Sequence, residues 1–177
     1  QRDAGRLAGW FDPHQEHWVT TPVLAYRVLW NVVGLHSYKP YLALALASHL
    51  AVVVLLRAVL RRVGVSPWVA TTCAAVLLFF GRGAENIVWA FMITFTGALA
   101  FGLGQFLLLD RAECSRRRQV AGAGFGIAAL TCSGVGLVAL GVVGLALLLR
   151  RGVRPALVAA LPGLAAYGVW RSTFGTA

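Results

Sequence analysis

The densest group of reactive side chains in this sequence is the run DPHQEHW at residues 12–18. Two histidines three residues apart, His14 and His17, with Glu16 between them, can hold a phosphate or bind a divalent metal ion. The spacing is not HExxH, and the sequence offers no obvious third ligand, so a solvated, turn-forming loop stays open as the alternative. Residues 12–18 are the first site candidate.

A second polar group is the run GRGAEN at residues 81–86, which is followed by Trp89. The carboxylate of Glu85 would be favoured at the start of the next helix, because the amino end of a helix carries partial positive charge. Arg82 and Glu85 are equally consistent with an exposed ion pair that has no function. Residues 81–86 are the second site candidate.

The composition places both groups in a membrane protein. Of 177 residues, 59% are hydrophobic, and only 12% are charged, whereas about 25% is typical of soluble domains. The mean hydropathy is +0.74. A single domain of this size cannot bury so much apolar surface in its own core, so a lipid bilayer must cover the rest. This composition excludes disorder and argues against a soluble enzyme.

The net charge of +10 comes almost entirely from arginine. These arginines stand in short clusters between apolar runs, which is the distribution of cytoplasmic loops in membrane proteins rather than that of a nucleic-acid surface. We therefore expect membrane lipid and no nucleic acid among the partners.

Five apolar stretches are candidates for membrane passages, since a spanning helix needs about 20 residues. They cover residues 40–60, 63–80, 87–109, 120–149 and 153–170. If each crossed once, the basic clusters at 57–62 and 111–118 would share a side, and the cluster at 150–154 would lie opposite. The conflict disappears if residues 120–149 cross twice, with a break at the TCSG sequence of residues 131–134. The sequence thus predicts six passages, with the basic clusters inside.

The N-terminal segment contains a further short helix. Thr21 can cap a helix that has Pro22 at its first position, and Gly34 can end it. About 12 residues cannot span a bilayer, so we expect an amphipathic helix at the outer interface, anchored by Tyr26 and Trp30.

Polar and small residues inside the apolar stretches are predicted to hold helices together. His49 and Gln105 are expected to form hydrogen bonds between helices. The GAGFG sequence at residues 122–126 superficially resembles a dinucleotide loop, but no strand precedes it. We interpret these glycines as sites of close helix packing.

The order of these features resembles that of polytopic bacterial glycosyltransferases of the GT-C superfamily, and most closely that of actinobacterial membrane proteins. The resemblance covers nearly the whole chain through diffuse motifs. It rests on PHQEHW at 13–18, Thr21-Pro22, Tyr26-Arg27, Gly34, Tyr38, Pro40-Tyr41, GAEN at 83–86, WAF at 89–91 and LTCSG at 130–134.

The resemblance implies transfer of a sugar from a polyprenyl-phosphate carrier to an acceptor on the outer face of the bacterial plasma membrane. It implies Glu16 and Glu85 as the candidate catalytic acids. His14, His17 and Arg82 become candidate contacts to phosphate or to a divalent metal. In that superfamily the acid that activates the acceptor stands in the first outer loop, soon after the first transmembrane helix. That helix and the Asp-rich start of the loop are expected upstream of Gln1.

The resulting expectation is an all-α, polytopic transmembrane bundle with an interfacial helix. Residues 1–177 form a single transmembrane domain, a fragment of a longer chain, with residues 1–39 as an outer loop and residues 40–170 as membrane helices. The alternatives are a transporter or channel subunit, for which broken helices are equally natural, and a non-catalytic membrane scaffold.

Overall fold

The computed structural model describes residues 10–14, 17–79 and 89–175, and within these ranges the fold is all-α. Apart from one isolated β-bridge between His14 and His17, the described residues contain no β-structure. The helices are α1 (Thr20–Val33), α2 (Lys39–Arg62), α3 (Pro67–Leu78), a 3₁₀ turn (Ala90–Met92) that leads into α4 (Ile93–Leu109), α5 (Arg116–Leu130), α6 (Val135–Arg151) and α7 (Val153–Phe174).

Three helical segments in the described residues are long and apolar enough to cross a membrane, namely Lys39–Arg62, Ala90–Leu109 and Val153–Phe174. The other helices of the bundle are shorter, with 12 residues in α3, 15 in α5 and 17 in α6. At 1.5 Å per residue these helices are about 18–26 Å long, less than the roughly 30 Å of a typical hydrocarbon core. Three helical segments of the described residues thus have the length and composition of membrane spans, which is consistent with a membrane protein.

The predicted stretch 63–80 is longer than the helix that it contains. Gly64 adopts a positive φ of 97°, and Ser66 accepts a hydrogen bond from the Val69 amide as the N-cap of α3. Pro67 then occupies the first turn, where its missing amide hydrogen costs nothing. Gly64, which lies between Val63 and Val65, and Ser66 thus delay the start of the helix to Pro67.

The predicted break in residues 120–149 is confirmed. α5 ends at Leu130 and α6 begins at Val135, with the Gly136 amide donating to the Ser133 carbonyl across the turn. A Cβ on Gly136 would overlap the carbonyl group of Ala129, so only glycine fits where α6 leaves α5.

One end of the bundle, which we call the basic end, is held by a buried acid. Asp110 is fully buried and pairs with Arg150 (Nη2 to Oδ2, 3.0 Å) and with Arg151 (Nε to Oδ1, 2.7 Å). Arg62 donates to the Asp110 carbonyl at 3.2 Å. The ends of α2, α4 and α6 therefore meet at this end of the bundle.

The arginine partners of the same aspartate favour its charged form. Burial acts to raise the pKa of Asp110, but hydrogen bonds from Arg150 and Arg151 and their charges outweigh burial and lower it. The carboxylate consequently stays ionised between its two partners.

Small and polar residues pack the helices as predicted at several positions. A Cβ added to Gly122 would lie 2.7 Å from the Leu109 side chain, and one added to Gly126 would lie 2.5 Å from the Gln105 side chain. A Cβ added to Gly124 would face open space. The Gln105 amide donates to the Ala159 carbonyl at 2.9 Å, which confirms an interhelical bond between α4 and α7. His49 is buried, but its Nε2 has no hydrogen-bond partner in the described structure, so the helix-to-helix hydrogen bond predicted for His49 is not formed through that atom.

Candidate functional site

The two candidate histidines lie at the end of the bundle opposite to the basic end. His14 and His17 exchange backbone hydrogen bonds of 2.9 Å, which close a tight turn. The His14 ring lies 5.8 Å from the ring of Phe91, and His17 packs against Gly134, where a Cβ would lie 2.8 Å from Nδ1. Both imidazoles are exposed. The turn thus bridges the start of the 89–109 segment and the α5–α6 break.

Two tryptophans fix this turn to the last helix. The rings of Trp18 and Trp170 stack almost parallel, with centroids 5.3 Å apart and an interplanar angle of 2°. Trp170 Nε1 also donates to the Phe11 carbonyl at 2.8 Å. Both indoles are buried, and Trp170 is only 2% exposed. We call this end, where the turn meets Phe91, Gly134 and Trp170, the loop end.

The start of α1 is fixed to the same break. The Thr21 amide donates to the Thr131 carbonyl at 3.0 Å, and the two threonine hydroxyls are 2.7 Å apart. The Thr131 hydroxyl already donates to the Ala128 carbonyl, so Thr21 is the donor of the pair.

The prediction that Thr21 caps α1 is therefore wrong. The helix begins at Thr20 after Val19, with no side-chain cap, because the Thr21 hydroxyl is used for the contact with Thr131. Pro22 is consequently the third residue of the helix, two positions further in than predicted. The predicted end is confirmed: Gly34 has a positive φ of 62°, and its amide donates to the Trp30 carbonyl.

Two tyrosines hold the backbone of Ala90, the second residue described after the gap at 80–88. The Tyr26 hydroxyl donates to the Ala90 carbonyl, and the Ala90 amide donates to the Tyr38 hydroxyl at 2.7 Å. Burial, with a smaller effect of Tyr38, raises the pKa of Tyr26 to about 12. Tyr26 therefore stays protonated as a donor at neutral pH.

A cavity of about 730 Å³ opens beside these tyrosines, between α1, the 34–38 link and Ala90. Tyr26, Trp30 and Tyr41 give it aromatic walls, and Arg27 contributes the cationic group. The Arg27 guanidinium lies 4.7 Å from the centre of the Trp10 ring, a cation–π contact that orients the charge. The cavity combines an apolar wall with one cation at the loop end.

Three of the predicted site residues, Glu16, Arg82 and Glu85, lie outside the described residues. Their predicted convergence with His14 and His17 stays a prediction. As for the divalent metal, no group of three or more His, Cys, Asp or Glu side chains suited to a metal occurs among residues 10–14, 17–79 and 89–175.

Sequence reasoning missed the contacts that build this end. Trp18 was placed in the polar run and Trp170 at the end of an apolar stretch, and no local pattern pairs them. Tyr26 was expected to be a membrane anchor, whereas its hydroxyl donates a hydrogen bond to the Ala90 carbonyl. The available signal was the clustering of Tyr and Trp beside the polar runs, which is typical of membrane interfaces.

Comparison of the chain with protein-family models, with curated proteins and with solved structures finds no match.

Proposed function

We propose that this chain is part of an integral membrane glycosyltransferase that takes a sugar from a polyprenyl-phosphate carrier at the loop end. The observation that carries the proposal is the position of the His14–His17 turn, against Phe91 on one side and Gly134 on the other. Sugar transfer needs a base for the acceptor hydroxyl and cations for the departing phosphate. Glu16 and Glu85 are the proposed acids by the resemblance described above. In the sequence, Glu16 directly precedes His17, and Glu85 precedes Trp89 by four residues.

The cavity beside α1 supports the choice of carrier. A polyprenyl phosphate has an apolar chain and an anionic head, and the cavity offers aromatic walls together with Arg27. His14 and His17 are exposed at the same end, where a phosphate can accept hydrogen bonds from them. We assign Arg82 the same role by the resemblance described above.

The membrane arrangement that goes with this function has six passages, the basic end in the cytoplasm and the loop end outside. α1 would then lie in the outer interface. In support, Leu24, Val28 and Val32, spaced four residues apart on α1, are exposed and apolar, as expected for a helix that lowers one face into lipid.

Labelling from each side of the membrane tests this arrangement. In a background without Cys73, Cys114 and Cys132, we expect Arg117→Cys and Arg151→Cys to react from the same face, and His36→Cys to react from the other. Charged cytoplasmic loops and a double crossing of residues 116–151 require that result. Reaction of the Arg117 and Arg151 positions from opposite faces would exclude the double crossing.

The turnover prediction concerns the two acids. In the complete gene product, assayed with a panel of polyprenyl-phosphate hexoses and pentoses, Glu85→Gln and Glu16→Gln are expected to lower turnover about 100-fold, the usual effect of losing a general base. The change keeps side-chain size and removes only charge. Glu113→Gln, which alters an exposed acid beside the basic end, is the matched control and should leave turnover unchanged.

The outcomes of the assay separate the alternatives. Unchanged turnover in both Gln variants would remove Glu16 and Glu85 from the mechanism. If no sugar of the panel is transferred but vesicles with the protein take up a polar solute, a transporter replaces the glycosyltransferase as the proposed function. If neither transfer nor uptake is detected, the non-catalytic membrane scaffold is the remaining alternative.

A further inference from the structure

A groove of about 610 Å³ runs between α5 and α7 on the outside of the bundle. Its walls are apolar along most of their length. They are formed by Val120 and Ala123 on α5 and by Leu157, Leu161 and Pro162 on α7. Val120, Leu157 and Leu161 are exposed, so the groove is open to the surroundings of the bundle.

At the basic end the groove adjoins a smaller cavity of about 250 Å³. The two cavities share Gln119, Arg154 and Val158 as lining residues. Arg116 adds a second cation at the groove, and Arg111 lines the smaller cavity. A polar, cationic head space and an apolar channel therefore adjoin, and we treat them as one feature.

The cations of this feature lack counter-ions within the described structure. Both salt bridges found there use Asp110, which Arg150 and Arg151 already occupy. Arg116 and Arg154 are exposed, and the Nε atom of Arg111 is buried without a hydrogen-bond partner among described residues. The Arg118 charge, with some burial and the Arg62 charge, lowers the pKa of Arg111. Within the described residues, no ion pair engages Arg111, Arg116 or Arg154.

We propose that this feature is a binding site for an anionic phospholipid of the leaflet at the basic end. The lipid phosphate would lie between Arg116 and Arg154, beside Gln119, with Arg111 behind it, and one acyl chain would follow the groove past Ala123 to Leu161. Basic pockets between helices that open to lipid favour such headgroups. The apolar channel distinguishes a lipid from free phosphate, which would use the head space alone. The site lies at the opposite end from His14 and His17 and does not depend on the proposed enzyme activity.

Native mass spectrometry of the purified protein, titrated with phosphatidylglycerol or with phosphatidylcholine of the same acyl chains, tests the headgroup. We expect phosphatidylglycerol to bind at least tenfold more tightly. Arg154→Gln and Arg116→Gln should each weaken phosphatidylglycerol binding about fivefold. Arg117→Gln is the matched control, because Arg117 belongs to the same cluster and is exposed but does not line either cavity. Equal losses in all three variants would indicate diffuse attraction and overturn the site.

A second pair of variants tests the acyl channel. Ala123→Phe fills the groove and should weaken binding of both lipids at least fivefold, whereas Ala121→Phe, on an exposed position of the same helix, should not. An unchanged affinity in Ala123→Phe, with the protein monodisperse, would overturn the channel. Competition by glycerol phosphate at the concentration at which the intact lipid binds would show an anion site in place of a lipid site.

Discussion

Gly136→Ala is expected to destabilise the protein by about 3 kcal/mol or more. A Cβ at this position would overlap the Ala129 carbonyl group and would lie 2.6 Å from the Leu130 nitrogen. Both obstacles are backbone atoms at the end of α5, so they cannot move aside as a side chain can, and the cost reaches the upper part of the range for overpacking. Unfolding in mixed micelles with increasing dodecyl sulfate, followed by tryptophan fluorescence, measures the loss.

The matched control is Gly141→Ala, which lies on the same helix with nothing within 4 Å of the added methyl group. Alanine is a better helix former than glycine by roughly 0.5–1 kcal/mol, so this variant should be neutral or slightly more stable. Equal stability of the two variants would contradict the close approach of α6 to the end of α5.

Asp110→Asn is expected to lower the free energy of unfolding by about 2 kcal/mol at neutral pH. The change removes the charge that holds Arg150 and Arg151, although these side chains, 37% and 30% exposed, regain some hydration. That exposure keeps the loss below that for a fully buried pair. Glu113→Gln removes one charge from the same link between α4 and α5. It should have little effect on the free energy of unfolding, since Glu113 is exposed. A similar loss in both variants would assign the effect to net charge alone.

The same aspartate predicts a pH dependence. Its pKa in the folded protein is below the ordinary value of 3.8, so the unfolded chain binds the proton first as the pH falls. The stabilisation is complete above about pH 5 and is lost as the pH drops through the folded pKa. We expect unfolding experiments to show that the difference between wild type and Asp110→Asn is constant from pH 7 to 5 and shrinks below about pH 4.

The long helices were predictable because several local signals agree. For α2, an apolar run, Pro40 near its start and Arg61–Arg62 at its end predict limits within two residues of Lys39–Arg62. The α5–α6 break was predicted from charge placement, since only two passages within residues 120–149 would put the basic clusters on one side. α3 was mispredicted because Gly64 and Ser66 form a turn inside a run that reads as continuously apolar.

The candidate site was less predictable, because its described contacts join residues far apart in the sequence. His14 and His17 were chosen for their chemistry, but their neighbours Phe91 and Gly134 depend on how the helices pack. Thr21 shows the same limit: its local pattern predicts a cap, yet the contact with Thr131 takes its hydroxyl. Local sequence identifies a preference, and a partner about a hundred residues away decides the outcome.

The contact between the N-terminal turn and α7 also fixes the order in which the site can form. Trp170 Nε1 reaches the Phe11 carbonyl across 159 residues of sequence, and Trp18 stacks on the same indole. Ribosomes deliver the segment of residues 11–18 before α7. During synthesis, the turn must therefore wait until α7 has been made, so the histidines reach their position only after α1 to α6 have been synthesised.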